Sequence, residues 1–332
     1  MTPEEAQRAQ AAVTFLNHFV PSAWAFFREC HKSPSPDSFI ARAKKDPDLV
    51  LVLDAALWLD AAGDFLLAVL QLFTHEDGVL RFSPHASVRG VLEADAWACR
   101  LLDPDADDRE RIGRALSLRA QGLFEMKRLR LVSGQHYDDR IKRVTESGQR
   151  RGLQPRQRHD GRLSFVQTPG PTALIRCLLP EQSSRNRELT VGEQTYGELS
   201  ARSHGTTWAL LSGTSPIERL DEFQTTVLSE IDVLEFVRLL GIVVSLHDKA
   251  VRRVAIASGV DPSVWETRVA GDLEDEAPEA ILVFLTAQRA NQSEHLVEGS
   301  GERRAQRVGA HVQAAHEQGA PACLLCGAHS HR

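Results

Sequence analysis

The sequence predicts an all-α protein: a multi-helix bundle with a long central apolar helix and a disordered C-terminal tail. Three observations point that way. Apolar residues recur every three or four positions through most of the chain, the signature of one helical face. Helix-capping patterns stand before several of those runs. No stretch alternates apolar and polar residues as a half-buried strand would. Aromatics make up only 6% of the 332 residues, with two Tyr and two Met, so the core must be built from Leu, Val, Ile and Ala, with Phe and Trp as the large pieces. That composition suits helices packed closely through small side chains.

The first helix is expected from Thr2, a capping residue with Pro3 and Glu5 behind it. Ala12, Leu16, Phe19, Val20, Ala23 and Phe27 line one of its faces, and Pro21 is expected to kink or split it. Prolines mark residues 31–36 as a loop, and a short helix runs from Phe39 to Lys45. Leu49 to Phe73 is the most apolar stretch and long enough to span a bilayer. Asp54, Asp60 and Asp64 interrupt it, each at about 2.5–3.5 kcal/mol near a bilayer centre, so it reads as a core helix and not a membrane span. Ser83-Pro84 opens the next helix, which stops at Asp103-Pro104. Another runs through Ile112, Leu116, Leu123 and Leu129, with Gly134 as its expected terminator. The second half restarts at Pro171. Thr190 and Glu193 form a capping box before Tyr196–His204, a long helix from Leu228 ends at Gly259, and shorter helices follow near Trp265 and over 281–296.

This organisation divides the chain into an N-terminal helical half (1–126), a basic crossover or linker (127–170), a C-terminal half packing on the first (171–298) and a tail (299–332). The net charge of −6 excludes a protein that coats nucleic acid globally. Residues 127–162, however, hold eleven Lys/Arg against four acids, a local +7, which leaves 28 − 41 = −13 elsewhere. RNA or an acidic partner could dock there, or the segment could be a solvated, mobile linker. Its single aromatic before Phe165, Tyr137, gives little for bases to stack on. The acidic start lacks an apolar leader. Cys30, Cys99 and Cys177 stand alone in apolar patterns, and five cysteines in all give no disulfide framework. A cytoplasmic location is therefore expected, with no membrane partner, and self-association as a homodimer stays open.

Two segments carry candidate chemistry. Tyr196, Ser200 and His204 are spaced four apart and share a helix face. Arg89 and Glu93 have the same spacing and can pair. These five are the candidate ligand-binding residues, with Glu93 and His204 as the candidate acid and base. Either they form a hydrogen-bond network that fixes helix register, or they line a functional pocket. The tail residues Cys323, Cys326, His329 and His331 are zinc-type donors. Their two pairs stand two residues apart, where a finger domain places about a dozen, so no metal or other cofactor is predicted.

The landmarks Arg89, Glu93, Trp97 and Leu102-Asp103-Pro104, followed by Leu199-Ser200, His204-Gly205-Thr206 and Trp208, resemble a group of actinobacterial all-helical proteins with no assigned activity. The likeness covers roughly residues 48–260. More remotely the arrangement is similar to HEPN-type helical domains, several of which are RNA-cleaving toxins or phage-defence proteins. The HEPN ribonuclease motif is an Arg followed, after four to six residues, by a His. His204 has no Arg at that spacing upstream. Arg130–His136, Arg289–His295 and Arg304–His311 do match, but about four chance matches are expected from 33 Arg and 13 His. The leading expectation is a non-catalytic binding or regulatory protein. The alternative is a HEPN-like ribonuclease.

Overall fold

Ten α-helices carry the architecture of the computed structural model, which describes residues 3–73, 83–181, 183, 188–204, 214–219, 225–229 and 233–274. They are α1 (Pro3–Lys32), α2 (Phe39–Ala43), α3 (Ala55–Phe73), α4 (Ser83–Leu101), α5 (Asp108–Arg128), α6 (Gly134–Arg150), α7 (Pro171–Leu178), α8 (Val191–Ser203), α9 (Val233–Ser258) and α10 (Pro262–Glu274). The protein is all-α, as its apolar periodicity predicts. Two small antiparallel hairpins are additions that the sequence reading missed: β1 (Arg156–Gln157) with β2 (Leu163–Ser164), and β3 (Thr214–Arg219) with β4 (Thr225–Ser229). Strands β1 and β2 hold two residues each, and neither β3 nor β4 alternates apolar with polar residues; Leu228, expected to open the long helix, lies in β4. Among the described residues no helix is long and apolar enough to cross a membrane.

The helix most enclosed by others is α4. Helices α3, α7, α8 and α9 pack on it, while α1 bridges α3, α9 and α10. From Ala94 to Leu101 every residue of α4 is buried, so its second half has no solvent face. Apolar residues from both halves of the chain join one core, at roughly 1.5–3 kcal/mol for each large aliphatic side chain fully buried. The apolar segment 49–73 divides into a 3-10 turn (Leu49–Asp54) and α3. Pro21 neither splits nor ends α1, which runs through it. Phe15, Phe19, Ala23 and Phe26 are buried on both sides of the missing hydrogen bond, and their packing holds the helix together.

The end of α4 shows where several arginines go. The last carbonyls of a helix lack intrahelical partners and carry partial negative charge. Arg114 donates to the Arg100 carbonyl at 2.6 Å, Arg111 to the Asp103 carbonyl at 2.7 Å, and Arg253 to the Cys99 carbonyl. Burial, with Arg114 close by, brings the Arg100 guanidinium down to about 10.

The segment expected to be a mobile crossover is folded. Helix α6 and the β1–β2 hairpin occupy it, because Asp48 and Asp46 gather Arg150 and Arg151 while Ser117 accepts the Phe165 N–H at 2.9 Å. Gly134 does not terminate α5 but opens α6, which Ser133 caps. The terminator is Arg130, in the left-handed region at φ 58°. Gly259, at φ 73°, ends α9 as expected. The capping residue Thr2, the 281–296 helix and the tail lie outside the described residues.

Candidate functional site: the seam between α4 and α8

Helix α8 is aimed at α4 by its own start. Thr190 accepts the Glu193 N–H at 3.1 Å, and the Glu193 carboxylate accepts the Thr190 N–H at 3.2 Å, the reciprocal capping box. Gly192 then lies against α7, where a Cβ would come within 2.6 Å of the Ile175 carbonyl oxygen. Only glycine lets the two helices approach this closely. From that start, α8 carries Tyr196 into the core edge and delivers His204, its C-terminal capping residue, to the first turns of α4.

Arg89 is the hub of the contact. Its Nε donates to Glu93 Oε1 at 2.9 Å, its Nη1 to His204 Nε2 at 2.9 Å, and its Nη2 to the Tyr196 hydroxyl at 3.4 Å. Tyr196 in turn donates its own proton to Glu93 Oε1 at 2.8 Å. Burial opposes the charge on Arg89, yet Tyr196 and Glu93 outweigh it and raise its pKa. Burial and the Glu93 hydrogen bond both raise that of Tyr196. Glu93 and His204 thus meet through Arg89, not directly. Ser200 shares the α8 face, but its side chain makes no hydrogen bond among the described residues.

A second couple, absent from the sequence reading, lies one turn away. Arg202 Nη1 donates to His85 Nε2 at 2.7 Å, and the Arg202 Nε is buried with no partner among the described residues. A guanidinium has donors only, so in both contacts the imidazole Nε2 is the accepting atom. The signal was present: His85, Arg89 and Glu93 repeat every four residues on α4, just as Tyr196, Ser200 and His204 do on α8. Arg89 and Glu93 are half-buried, His85 and Tyr196 buried, and His204 exposed. The seam is therefore a polar strip at the rim of the core.

Among the described residues a fully buried ionisable pair lies elsewhere. Asp95, on the opposite side of α4, bonds His247 Nδ1 of α9 at 2.9 Å, with the Phe19 ring edge-on at 5.8 Å. Burial raises the Asp95 pKa, and His247 pulls it part of the way back. Next to it Asp248 accepts from Trp265 Nε1 and Arg252, both at 2.7 Å. Sequence reasoning singled out Glu93 as the candidate carboxylate of this helix and passed over Asp95. The distinguishing signal was the neighbourhood, since Ala94, Ala96 and Trp97 flank Asp95 while Glu93 lies beside Arg89.

Among the described residues no group of three or more His, Cys, Asp or Glu side chains could hold a metal. Cys323, Cys326, His329 and His331 fall outside them. Burial pushes the Cys99 thiol up to about 11, which makes it a poor nucleophile. Comparison of the chain with family models, with curated proteins and with solved structures finds no match.

Proposed function

We propose that the protein is a cytoplasmic, non-catalytic binding or regulatory protein that captures an anionic, phosphate-bearing small ligand at the α4–α8 seam. One observation carries this reading: two guanidiniums from facing helices each direct an Nη1 donor at an imidazole nitrogen instead of a carboxylate. A charged acceptor makes a hydrogen bond about twice as strong as a neutral one. An arriving phosphate can therefore displace the imidazoles and take the Nη1 donor of each guanidinium, leaving the Arg89–Glu93 pair in place. The first turns of α4 bring the positive end of a helix dipole to the same place.

Calorimetric titration with inorganic phosphate and nucleoside monophosphates tests the reading. Saturable binding is expected, lost in Arg89→Gln/Arg202→Gln while the circular dichroism spectrum is unchanged. No saturable binding, or binding indifferent to those changes, sinks it.

A second reading keeps the HEPN-like ribonuclease of a toxin or phage-defence system. It is favoured by the 2.9 Å Arg89–His204 bond, which supplies in space the pair that sequence spacing withholds. Arg89 would hold the scissile phosphate and His204 would move a proton. The resting geometry weighs against it, because a general base needs a free lone pair and both Nε2 atoms are occupied. RNA cleavage lost in His204→Gln would establish the enzyme. Intact RNA at stoichiometric protein would dismiss it.

A further inference from the structure

The arginines of this protein are unevenly spent. Outside residues 130–158, every arginine whose side chain is described donates a hydrogen bond or joins an ion pair, save Arg28, which lies over the Trp24 ring. Within that stretch Arg150 and Arg151 are taken by Asp48 and Asp46. Arg130, Arg140, Arg143, Arg156 and Arg158 are exposed and have neither kind of partner among the described residues. Arg158 feels Asp160 only at longer range. Lys127, beside them, rests its ammonium 4.1 Å from the centre of the Tyr137 ring.

The elements that carry these cations are each tied to α5. Glu125 on α5 accepts from Arg128 and from Arg162 of the hairpin, each at 2.7 Å, so the hairpin turn lies against the end of α5. Helix α6 packs on α5 with Tyr137, Ile141 and Val144 half-buried, while Arg140 and Arg143 are exposed. Its far end is tied down by Ser147 and Arg150 on Asp48. Arg130 adds an independent sign. It occupies the left-handed position after α5, with Leu131 N–H bonded to Met126 O at 2.8 Å. Glycine takes that conformation without strain, yet a guanidinium is held there. Backbone strain of this kind collects at functional surfaces.

From this we infer a second binding surface, separate from the seam: the end of α5, the exposed arginines of α6 and the β1–β2 turn together grip the phosphate backbone of a nucleic-acid strand. Five of the six unspent cations are arginine, whose planar fork matches phosphate. They spread over three elements, as a track for a repeating anion and not a socket for one. The strongly negative remainder of the chain repels a nucleic acid elsewhere and confines it to this face. The exposed Leu129 and Leu131 mark only the turn, so an acidic amphipathic peptide, the competing occupant, would use a small part of the surface.

Fluorescence anisotropy with a labelled single-stranded RNA, repeated with DNA of the same sequence, tests this on the full chain. Binding of both is expected, with log affinity falling against log salt at a slope near −3 to −4, since about 0.7 counterions are released per phosphate contact. The variant Arg140→Gln/Arg143→Gln/Arg156→Gln/Arg158→Gln should bind at least about tenfold more weakly at 100 mM salt and flatten the slope. The matching Arg→Lys variant should keep most of the affinity. Arg89→Gln/Arg202→Gln should leave it unchanged, which separates this surface from the seam. Three results would overturn the inference: no binding at 50 mM salt, equal binding by the glutamine variant, or binding lost instead on Leu129→Ser/Leu131→Ser.

Discussion

Helix α4 meets a histidine of the C-terminal half in two very different settings. At its centre Asp95 bonds His247 of α9 in a dry interior, with Phe19 against the ring. A turn and a half earlier Arg89 bonds His204 of α8 where water reaches both. The partners are equally close, at 2.9 Å in each case. Solvent access makes the difference. A buried ionisable group without its partner has nothing to replace it, whereas a group at the rim can exchange one partner for water or for a ligand. The first pair is fitted to hold helices in register, the second to change partners.

The largest expected effect tests the buried side of that contrast. His247→Ala strands the Asp95 carboxyl in the core and should cost about 3–5 kcal/mol in urea unfolding. A loss below about 1 kcal/mol would mean that water enters the core and that the two settings are alike.

Asp48 is an intermediate case, a buried carboxylate whose partners are partly exposed. Burial opposes its ionisation, but hydrogen bonds from Arg150, Ser147 and Arg151 outweigh it and hold the carboxyl at about 2, below the ordinary 3.8. The folded protein therefore binds this proton less tightly than the unfolded chain does. The stability it contributes is complete above pH about 4 and is lost as pH falls through 2. Linkage puts the loss at roughly 2 kcal/mol. Asp48→Asn should remove that part of the acid dependence, seen as a flatter plot of unfolding free energy between pH 5 and 2. An unchanged plot would show that α6 is anchored by other contacts.

At the seam the expected effects are smaller still. Glu93→Gln and His204→Gln should each cost about 1 kcal/mol or less, as hydrogen bonds made near water do. Their double mutant should show coupling, because both bond Arg89. Strict additivity would mean that Arg89 is not shared in solution. Losses near 3 kcal/mol would make the seam a structural network like the core pair and weaken its reading as a binding site.

How much of this was legible in the sequence follows from the same contrast. Helix faces were, because burial of Leu16, Phe19, Val20 and Ala23 imposes a three-to-four period that survives any arrangement of neighbours. Four of the six bonded seam residues, Arg89, Glu93, Tyr196 and His204, were found through the same period, since spacing of four aligns side chains on one face. What period cannot convey is which helix lies opposite. Asp95 and His247 stand 152 residues apart, and nothing local to either announces the other. His85 was passed over for a related reason: a histidine in the first turn of an apolar helix looks like any capping residue until Arg202 arrives from α8. The order within the basic segment was not legible because its helix contributes little to the core. Its order comes from Asp46 and Asp48, a hundred residues upstream.

The smallest effect concerns that basic surface and has the opposite sign. Arg130 pays a backbone cost at φ 58°, where an L side chain crowds the following carbonyl. Glycine removes the crowding but gains more conformational freedom in the unfolded chain, which offsets part of the benefit. Arg130→Gly should therefore stabilise the protein by only about 0.5–1 kcal/mol. The helix end itself should persist, because the Leu131-to-Met126 bond uses backbone atoms alone. Arg130→Asn separates the two contributions, since asparagine tolerates the left-handed region while keeping a side chain. If the guanidinium is kept for binding, both variants should be more stable than the parent and weaker for RNA. A variant that is more stable with RNA affinity intact would show that the strain at Arg130 serves no binding surface. One that is less stable would place a hidden partner on the guanidinium, and Arg130 would join the spent arginines of the core.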